Sequence, residues 1–254
     1  LVKGHLGDVD LVFLPRHGKG HRLTPAGVPY RANIDALKRA GCTDVLSISA
    51  CGSLQEQYAP GDFVMVDQFI DRTIAREKTF FGPGMVAHVS MADPVCARLS
   101  TLAGDAVAST GNKVHRGGTY LAMEGPQFSS RAESHLYRQW GCDVIGMTNM
   151  PEAKLAREAE LPYATMAMVT DYDCWRENTE AVSVSNVLET MRHNTEVAKQ
   201  AIIALARSLN DVARTPGPQG IETCLDYALI TSPDARDPEL LAKLDAVAGR
   251  ALNR

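Results

Sequence analysis

Short apolar runs recur along the chain, separated by stretches of mixed polarity. A run of roughly four to eight apolar residues, bounded by glycine, proline or polar residues, indicates a buried strand. We interpret the small residues 50–53, which follow one of these runs, as a turn that allows close ligand approach. We predict strands at 9–14, 45–49, 62–66, 118–123, 143–147 and 163–170.

The segments between these strands have helical spacing, because apolar residues recur in them every three or four positions. We expect Asp93 to be an N-cap with Pro94 in the first turn, and Ser130 with Glu133 to form a capping box. Pro151 suits the first position of another helix. We predict helices at about 34–40, 93–108, 152–160, 183–209 and 240–252, and one that begins after Ser130.

Alternating strands and helices predict an α/β fold, with a single three-layer domain in which helices flank a central sheet. We place this domain at residues 1–214, followed by a C-terminal linker and helical extension at 215–254. A chain of 254 residues, 45% of them hydrophobic, can bury a large core. Acidic and basic residues are mixed, with a net charge of −4, so no basic stripe predicts nucleic-acid binding.

No apolar run reaches the ~20 residues that a membrane helix needs, and the first residues do not resemble a signal peptide. The six cysteines include no CxxC pair, so their spacing predicts neither a zinc site nor a disulfide framework. We therefore expect free thiols, no metal and a reducing cytoplasm. Cys51 is interpreted as packed rather than nucleophilic, because free cysteine is among the most buried residue types.

Two acidic residues, Asp171 and Asp173, follow the apolar run 163–170. Ligands of open α/β sheets bind outside the carboxyl ends of strands, so acids at this place can meet a polar ligand. Aspartate is also common in solvated loops and helix caps. The spacing alone leaves both interpretations open.

A basic loop with two glycines follows the first predicted strand, at residues 15–22. Arg16 can fork onto phosphate, His17 can donate a hydrogen bond, and glycine lets backbone amides approach an anion. Thr148 lies at another strand end, before a helix N-terminus, which also suits an anion. A solvated basic loop remains the alternative.

Several other residues indicate no function from their position alone. Phe128 can stack on a flat ligand, but a core position is the default for a single aromatic residue. His88, in an apolar setting, is interpreted as an ordinary, partly buried histidine, and Met147 as a core residue. Val184 and Val187 belong to an apolar helical stripe, which is usually core.

Taken together, these segments resemble the purine nucleoside phosphorylase family, and within it the methylthioadenosine phosphorylases. The likeness runs from about residue 8 to residue 210 and rests on several motifs in the same order. These are Arg16-His17-Gly18, Tyr30-Arg31-Ala32-Asn33, Ala50-Cys51-Gly52-Ser53-Leu54, Asp67-Gln68-Phe69-Ile70-Asp71-Arg72-Thr73, Glu124-Gly125-Pro126, Phe128-Ser129-Ser130-Arg131-Ala132-Glu133, Met147-Thr148 and Thr170-Asp171-Tyr172-Asp173-Cys174-Trp175.

The resemblance implies phosphorolysis of S-methyl-5′-thioadenosine, in which phosphate attacks the anomeric carbon of the ribose and displaces adenine. Phosphate is then a co-substrate, and no other cofactor is implied. The resemblance also implies the phosphorylase fold, in which the central sheet is mixed, and a cytoplasmic homotrimer that acts in purine salvage. The residues it implies for phosphate are Arg16, His17, Ser49, Ala50 and Thr148.

For the nucleoside, the resemblance implies that Asp171 bonds to N7 of the purine and that Asp173 helps through the 6-amino group. A protonated Asp171 can donate to the leaving purine, which requires a pKa raised by burial and by a second carboxylate. The other implied contacts are Met147 against the ribose, Phe128 and Ser129 beside the base, Tyr172 between the two acids, Val184 and Val187 in the 5′ pocket, and His88 reaching a neighbouring subunit's site.

Three alternatives remain. The 6-oxopurine enzymes of the family carry asparagine where Asp171 stands, so a 6-oxopurine or methylthioinosine phosphorylase is less favoured. Family members begin with a strand and a glycine-rich phosphate loop that this sequence lacks, and Gly117-Gly118-Thr119 is no substitute for it, so a truncated, inactive nucleoside-binding protein is the second alternative. The run Arg16-His17-Gly18 also resembles that of the histidine phosphatases, which predicts a phosphohistidine at His17.

Overall fold

A mixed sheet of seven strands lies at the centre of the computed structural model, which describes residues 1–176 and 184–252, with the backbone alone for 184–187. Two earlier strands, β1 (Val2–Leu6) and β2 (Val9–Phe13), form a separate antiparallel hairpin. The strands of the central sheet are β3 (Val45–Ser53), β4 (Phe63–Val66), β5 (Gln68–Asp71), β6 (Val114–Arg116), β7 (Thr119–Ala122), β8 (Val144–Gly146) and β9 (Tyr163–Asp171). Their order across the sheet is β5-β7-β8-β3-β9-β4-β6.

The middle of this sheet is the parallel pair β3 and β9, whose register runs from Val45 opposite Tyr163 to Cys51 opposite Val169. Every residue of β9 before Asp171 is buried, which confirms the predicted buried strand. β8 is antiparallel to β3, and β4 is antiparallel to β9. The remaining pairs are parallel, so the predicted mixed sheet is confirmed.

Helices cover both faces of the sheet. The helices are α1 (Tyr30–Arg39), α2 (Ala97–Ala108), α3 (Arg131–Gln139), α4 (Asn149–Glu158), α5 (Val184–Asp211), α6 (Pro238–Lys243) and α7 (Asp245–Leu252). Successive residues of β9 point to opposite faces, so their packing partners show which helices lie on each face. Ala167 and Val169 pack with α1, α4 and α7, whereas Met166 and Met168 pack with α2 and α5. This arrangement confirms the three-layer architecture.

Two predicted helix starts have different outcomes. The capping box at the start of α3 is confirmed, since Ser130 and Glu133 bond reciprocally to each other's backbone N–H groups. The predicted N-cap at Asp93 is wrong, because α2 begins only at Ala97. The reason is tertiary: the N–H of Cys96 donates to the carbonyl of Tyr163 at 2.8 Å, which holds the preceding chain extended beside β9.

The predicted turn at 50–53 is also wrong, because β3 continues through these residues. Gly52 and Ser53 pair with Ile145 and Val144 of β8, so the strand exchanges one neighbour for another instead of turning. The strands β1, β5 and β6 were not predicted. Each has five residues or fewer, and none forms a long apolar run.

The C-terminal segment packs onto the first layer of helices. The predicted single helix at 240–252 is wrong, since α6 and α7 are separated at the buried residue Leu244. Arg250 on α7 forms ion pairs with Glu160, after α4, and with Asp226. The boundary at residue 214 stays a prediction. Among the described residues, no helix is long and apolar enough to span a membrane.

Candidate active site

The carboxyl end of β9 carries the predicted acid pair. An irregularity in the β3–β9 register pairs Gly52 with Asp171, which leaves Thr170 as an extra residue on β9. Asp171 accepts the N–H of Asp173 on Oδ1 at 2.8 Å and the hydroxyl of Thr170 on Oδ2 at 2.7 Å. Burial raises the pKa of Asp171, although these two donors oppose the rise.

Asp173 completes the pair from a left-handed backbone conformation, with φ 50°. It is buried, and its Oδ2 has no hydrogen-bond partner among the described residues. Burial raises the pKa of Asp173, and the charge of Asp171 adds to that rise. An unpaired buried carboxylate oxygen is costly, so this atom is suited to a donor brought by a ligand.

Gly52 lets the two acids lie close to β3. A Cβ atom at this position would be 3.0 Å from Oδ1 of Asp171, 3.2 Å from Ile145 and 3.4 Å from Cβ of Asp173. Glycine therefore keeps the space in front of the acids open. The neighbouring Cys51 is buried, and burial raises the pKa of its thiol, as expected for a packed cysteine.

A pair of hydroxyl groups lies earlier on β3. The register that pairs Gly52 with Ile145, continued along both chains, brings Ser49 to Thr148, and their hydroxyl oxygens are 3.4 Å apart. Both residues are buried. Since a strand rises about 3.3 Å per residue, Ser49 lies about 10 Å from Gly52 along β3, which is the scale of a nucleoside.

Arg16 joins these hydroxyls through its guanidinium. Nε and Nη2 fork onto the carboxylate of Glu152, each at 2.9 Å. Nη2 also donates to Oγ of Ser47 at 2.6 Å, and Nη1 donates to Oγ1 of Thr148 at 3.2 Å. Four of the five N–H groups of the guanidinium are thus used, which leaves one on Nη1 for an anion.

Glu152 was not recognised as a site residue from the sequence. It is buried, and the hydroxyl of Tyr163 also donates to it at 2.9 Å. Burial lowers the pKa of Arg16, but the charge and hydrogen bonds of Glu152, together with nearby tyrosines, outweigh this effect, and the net shift is upward. The signal that identifies Glu152 is its burial beside a cation, which only the folded chain reveals.

Of the remaining predicted phosphate residues, Ala50 joins this network through its carbonyl, which accepts the hydroxyl of Ser49 at 3.3 Å, and His17 lies nearby. His17 makes a contact of 2.8 Å from Nδ1 to the carbonyl of Leu23 and stacks on His21, with ring centroids 4.1 Å apart. Burial lowers the pKa of His17, and the positive charges of its neighbours add to this effect. Ala50 is half-buried and pairs with Met168 of β9.

Phe128 does not lie in the core, and the core interpretation is wrong: its side chain is 50% exposed, in the connection between β7 and α3. Ser129, beside it, is half-buried, and its carbonyl accepts the thiol of Cys174 at 3.2 Å. An exposed aromatic ring in such a connection can stack on a ligand or on another chain.

Met147 follows β8 and is half-buried, so the core interpretation of this residue is also wrong. Its sulfur lies 2.5 Å from where a Cβ of Gly125 would be, so the ends of β7 and β8 are close. Tyr172 is half-buried and packs edge-on against Trp175 with ring centroids 6.1 Å apart. Its hydroxyl lies 3.5 Å from the carbonyl oxygen of Glu56, shortly after β3.

His88 is exposed, which contradicts the predicted partly buried position. The backbone N–H of His88 donates to the carbonyl of Ala228 at 2.9 Å, which holds this stretch against the C-terminal segment. The imidazole is left exposed to solvent. Val184 and Val187 start α5, but their side chains lie outside the described residues. Within the described part of the chain, no group of three or more His, Cys, Asp or Glu is placed to hold a metal ion.

The geometry thus combines two functions at one edge of the sheet. Hydroxyls and a guanidinium form an anion pocket at Ser49, Thr148 and Arg16. Two buried acids with raised pKa values, Asp171 and Asp173, lie about 10 Å away along β3. Such a site can bind an anion at one end and protonate a group at the other.

The chain is similar to known proteins over nearly its whole length. Residues 1–207 match the model of the phosphorylase superfamily. The chain is 59% identical to S-methyl-5′-thioadenosine phosphorylase of Cereibacter sphaeroides, over 99% of this chain and 87% of that protein. It is 57% identical to the protein of the same name from Rhodospirillum rubrum, over 99% of this chain and 85% of that protein.

Solved structures are similar as well. A methylthioadenosine phosphorylase from an antarctic soil metagenomic library superposes with a TM-score of 0.90 at 48% identity, covering 96% of this chain and 85% of that chain. Methylthioadenosine phosphorylase of Schistosoma mansoni in complex with adenine superposes with a TM-score of 0.85 at 38% identity, covering 89% of this chain and 87% of that chain.

Proposed function

This chain belongs to the phosphorylase superfamily, and on that basis we propose that it cleaves S-methyl-5′-thioadenosine with phosphate to give adenine and 5-methylthioribose 1-phosphate. The observation that carries this function is the placement of an anion pocket and a buried acid pair at one sheet edge, about 10 Å apart along β3. The two ends of the site match the two substrates: phosphate at Ser49 and Thr148, and the purine at Asp171.

Phosphate binding follows from the free donors in the anion pocket. Thr148 already accepts a hydrogen bond from Arg16, so its own hydroxyl hydrogen can be donated to phosphate. Ser49 offers a second hydroxyl, which donates here to the carbonyl of Ala50 at 3.3 Å and can rotate towards phosphate, and Arg16 offers its remaining N–H. We assign His17 and the backbone of Ala50 to the same anion, which is the only co-substrate we propose.

The chemical step is a displacement at C1′ of the ribose. A phosphate oxygen forms a bond to C1′ while the C1′–N9 bond breaks, and the electron pair of that bond passes to the purine. Asp171, whose pKa is raised by burial, donates a proton to N7 as the charge develops. Phosphate's negative charge, held by Arg16 and Thr148, stabilises the cationic sugar of the transition state.

Adenine is favoured by the acceptor that Asp173 leaves without a partner. Its buried Oδ2 can accept a hydrogen bond from a 6-amino group, whereas a 6-oxo group offers no donor. We place Ser129, Tyr172 and the exposed ring of Phe128 around the base, and Met147 against the ribose. A site that hydrogen-bonds a substrate group discriminates strongly against analogues that lack it.

The 5′ end of the nucleoside requires a neighbouring subunit in this proposal. We assign Val184 and Val187 to its apolar wall and His88 of an adjoining subunit to its rim, in a homotrimer. Support for an interface comes from the exposure of His88 and of the adjacent apolar residues Val86 and Ile230, which are joined by a 2.9 Å backbone hydrogen bond. Light scattering gives the mass that tests the trimer. We also propose that the protein acts in purine salvage in the cytoplasm.

Adenine release from S-methyl-5′-thioadenosine, measured with and without phosphate, tests the function. We expect release that depends on phosphate and yields one sugar phosphate per adenine. Release without phosphate would indicate hydrolysis and contradict the proposed anion role of Arg16. Binding of the nucleoside with no release under either condition would indicate a nucleoside-binding protein instead of an enzyme.

A further inference from the structure

A buried arginine that no step of the proposed mechanism uses lies behind the candidate active site. Arg76 follows β5 in the irregular segment after residue 71, and its side chain is 1% exposed. Arginine is rarely buried so completely unless its donors are paired. The partners of Arg76 therefore indicate what this buried charge does.

Most of those partners are backbone carbonyls of the chain segments that follow two strands, and the hydroxyl of Tyr30 also accepts from Nη1 at 3.0 Å. Nη1 donates to the carbonyl of Met147 at 2.5 Å and to that of Met150 at 2.7 Å, both after β8. Nη2 donates to the carbonyl of Glu124 at 2.6 Å, after β7. One planar guanidinium thus ties together two chain segments that leave the sheet side by side.

Both segments lead directly to proposed nucleoside contacts. Met147 itself is the proposed ribose contact, and the chain after Glu124 continues to Phe128 and Ser129, which we place beside the base. The sulfur of Met147 already approaches Gly125 closely, so the two segments have little freedom to shift independently. Their separation fixes the distance between the ribose and base contacts.

We propose that Arg76 is a positioning residue for the nucleoside, an inference that rests on the proposed function: it holds Met147 and the β7–α3 connection at the separation that the substrate requires. Catalysis depends on such placement, because a displacement of about 1 Å can cost about 100-fold in rate. The anion pocket has restraints of its own, since Thr148 bonds to Arg16 and lies beside Ser49.

Lysine cannot replace this arginine. Its single ammonium group keeps the charge, but it cannot reach carbonyls on two segments in the fixed directions of a planar fork. The charge alone is therefore not what we expect to matter. Glu124, whose Oε1 lies 3.5 Å from Nε of Arg76, can pair with either cation.

The test compares Arg76→Lys with a matched control, Arg72→Lys. Arg72 belongs to the same segment, but its side chain is exposed and lies over the ring of Trp140, 5.6 Å from its centroid. We expect Arg76→Lys to raise KM for S-methyl-5′-thioadenosine about tenfold and to change KM for phosphate less than about twofold. The control is expected to leave both constants within about twofold of the wild type.

Chemical rescue separates positioning from general stability. A cavity of about 350 Å³, lined by Tyr30, Arg31, Ala75 and Glu77, adjoins Arg76 and gives small ions a route to its position. In Arg76→Ala, millimolar guanidinium is expected to lower KM for the nucleoside again, whereas methylammonium, with the same charge and no fork, is not. Guanidinium denatures proteins only at molar concentrations.

Unchanged nucleoside KM in Arg76→Lys would overturn the inference. So would equal losses for both substrates without rescue by guanidinium, because these indicate a structural role alone. If the wild-type protein shows no phosphorolysis, titration calorimetry of S-methyl-5′-thioadenosine binding replaces KM. A tenfold loss of affinity in Arg76→Lys then still supports the positioning role, and equal affinity in both proteins contradicts it.

Discussion

Asparagine in place of Asp171 removes the transferable proton while retaining the shape of the side chain. Oδ1 can still accept the N–H of Asp173, which lies 2.8 Å away. The new Nδ2 group can donate to Oγ1 of Thr170, whose own hydrogen remains available for the carbonyl of Cys51 at 3.1 Å. Every hydrogen bond of the wild type therefore has a counterpart, and we expect Asp171→Asn to fold.

The magnitude follows from the role of the proton. General acid catalysis contributes typically 100- to 10,000-fold, and each factor of ten corresponds to about 1.4 kcal/mol of activation free energy. We therefore expect kcat for S-methyl-5′-thioadenosine to fall by at least about 100-fold, or about 3 kcal/mol. Burial disfavours the charge of Asp171, so the neutral variant is expected to melt no lower than the wild type at neutral pH.

The assay compares adenosine with inosine over a range of pH. Because the pKa of Asp171 is raised, the acid is available below that pKa and is lost as pH rises through it, and wild-type activity on adenosine is expected to fall accordingly. The variant is expected to lack this fall and to have a lower adenosine-to-inosine ratio of kcat/KM. An unchanged ratio, or the same fall with pH in the variant, would refute the role of Asp171.

Three further changes test the network around the site. Thr170→Val removes a donor that lowers the pKa of Asp171, so the loss of activity with pH is expected to move to higher pH in a kcat/KM profile. Arg16→Lys loses its forked ion pair, and we expect KM for phosphate to rise about tenfold or more in initial-rate assays. Burial works to raise the pKa of Asp71, but hydrogen bonds from Lys154 and a threonine lower it to about 2. Asp71→Asn is therefore expected to cost about 2 kcal/mol of unfolding free energy at pH 7 in urea titrations, a difference that disappears as pH falls from about 4 towards 2.

Features encoded by neighbouring residues were predictable from the sequence. The capping box of α3 needs only Ser130 and Glu133, three positions apart, and its geometry is confirmed. The buried strand β9 shows itself as one continuous apolar run, and the structure buries it on both faces. Both signals act over a few residues, so no knowledge of the fold is required to recognise them.

Features created by distant partners were not predictable in this way. Arg16 and Glu152 are 136 positions apart, and nothing in the spacing of either residue indicates that they form a forked ion pair. Cys96 has an extended backbone, and α2 begins after it and not at residue 93, because the N–H of Cys96 donates to the carbonyl of Tyr163 in β9. Phe128 is exposed although single aromatics are usually core, since it lies in a connection between elements and not on a packed face.

The extra residue at Thr170 has a consequence for how this site can change. Side chains alternate along a strand, so odd- and even-numbered positions of β9 face different layers up to Val169. The extra residue shifts this alternation by one position. The side chain of Asp171 therefore lies on the same side of the sheet as Gly52 and not on the side of Cys51. The direction of the Asp171 side chain is thus set by the number of residues that precede it in β9 and not by the identity of those residues. If β9 paired with β3 without this irregularity, Thr170 would lie opposite Gly52 and the side chain of Asp171 would turn to the opposite face of the sheet.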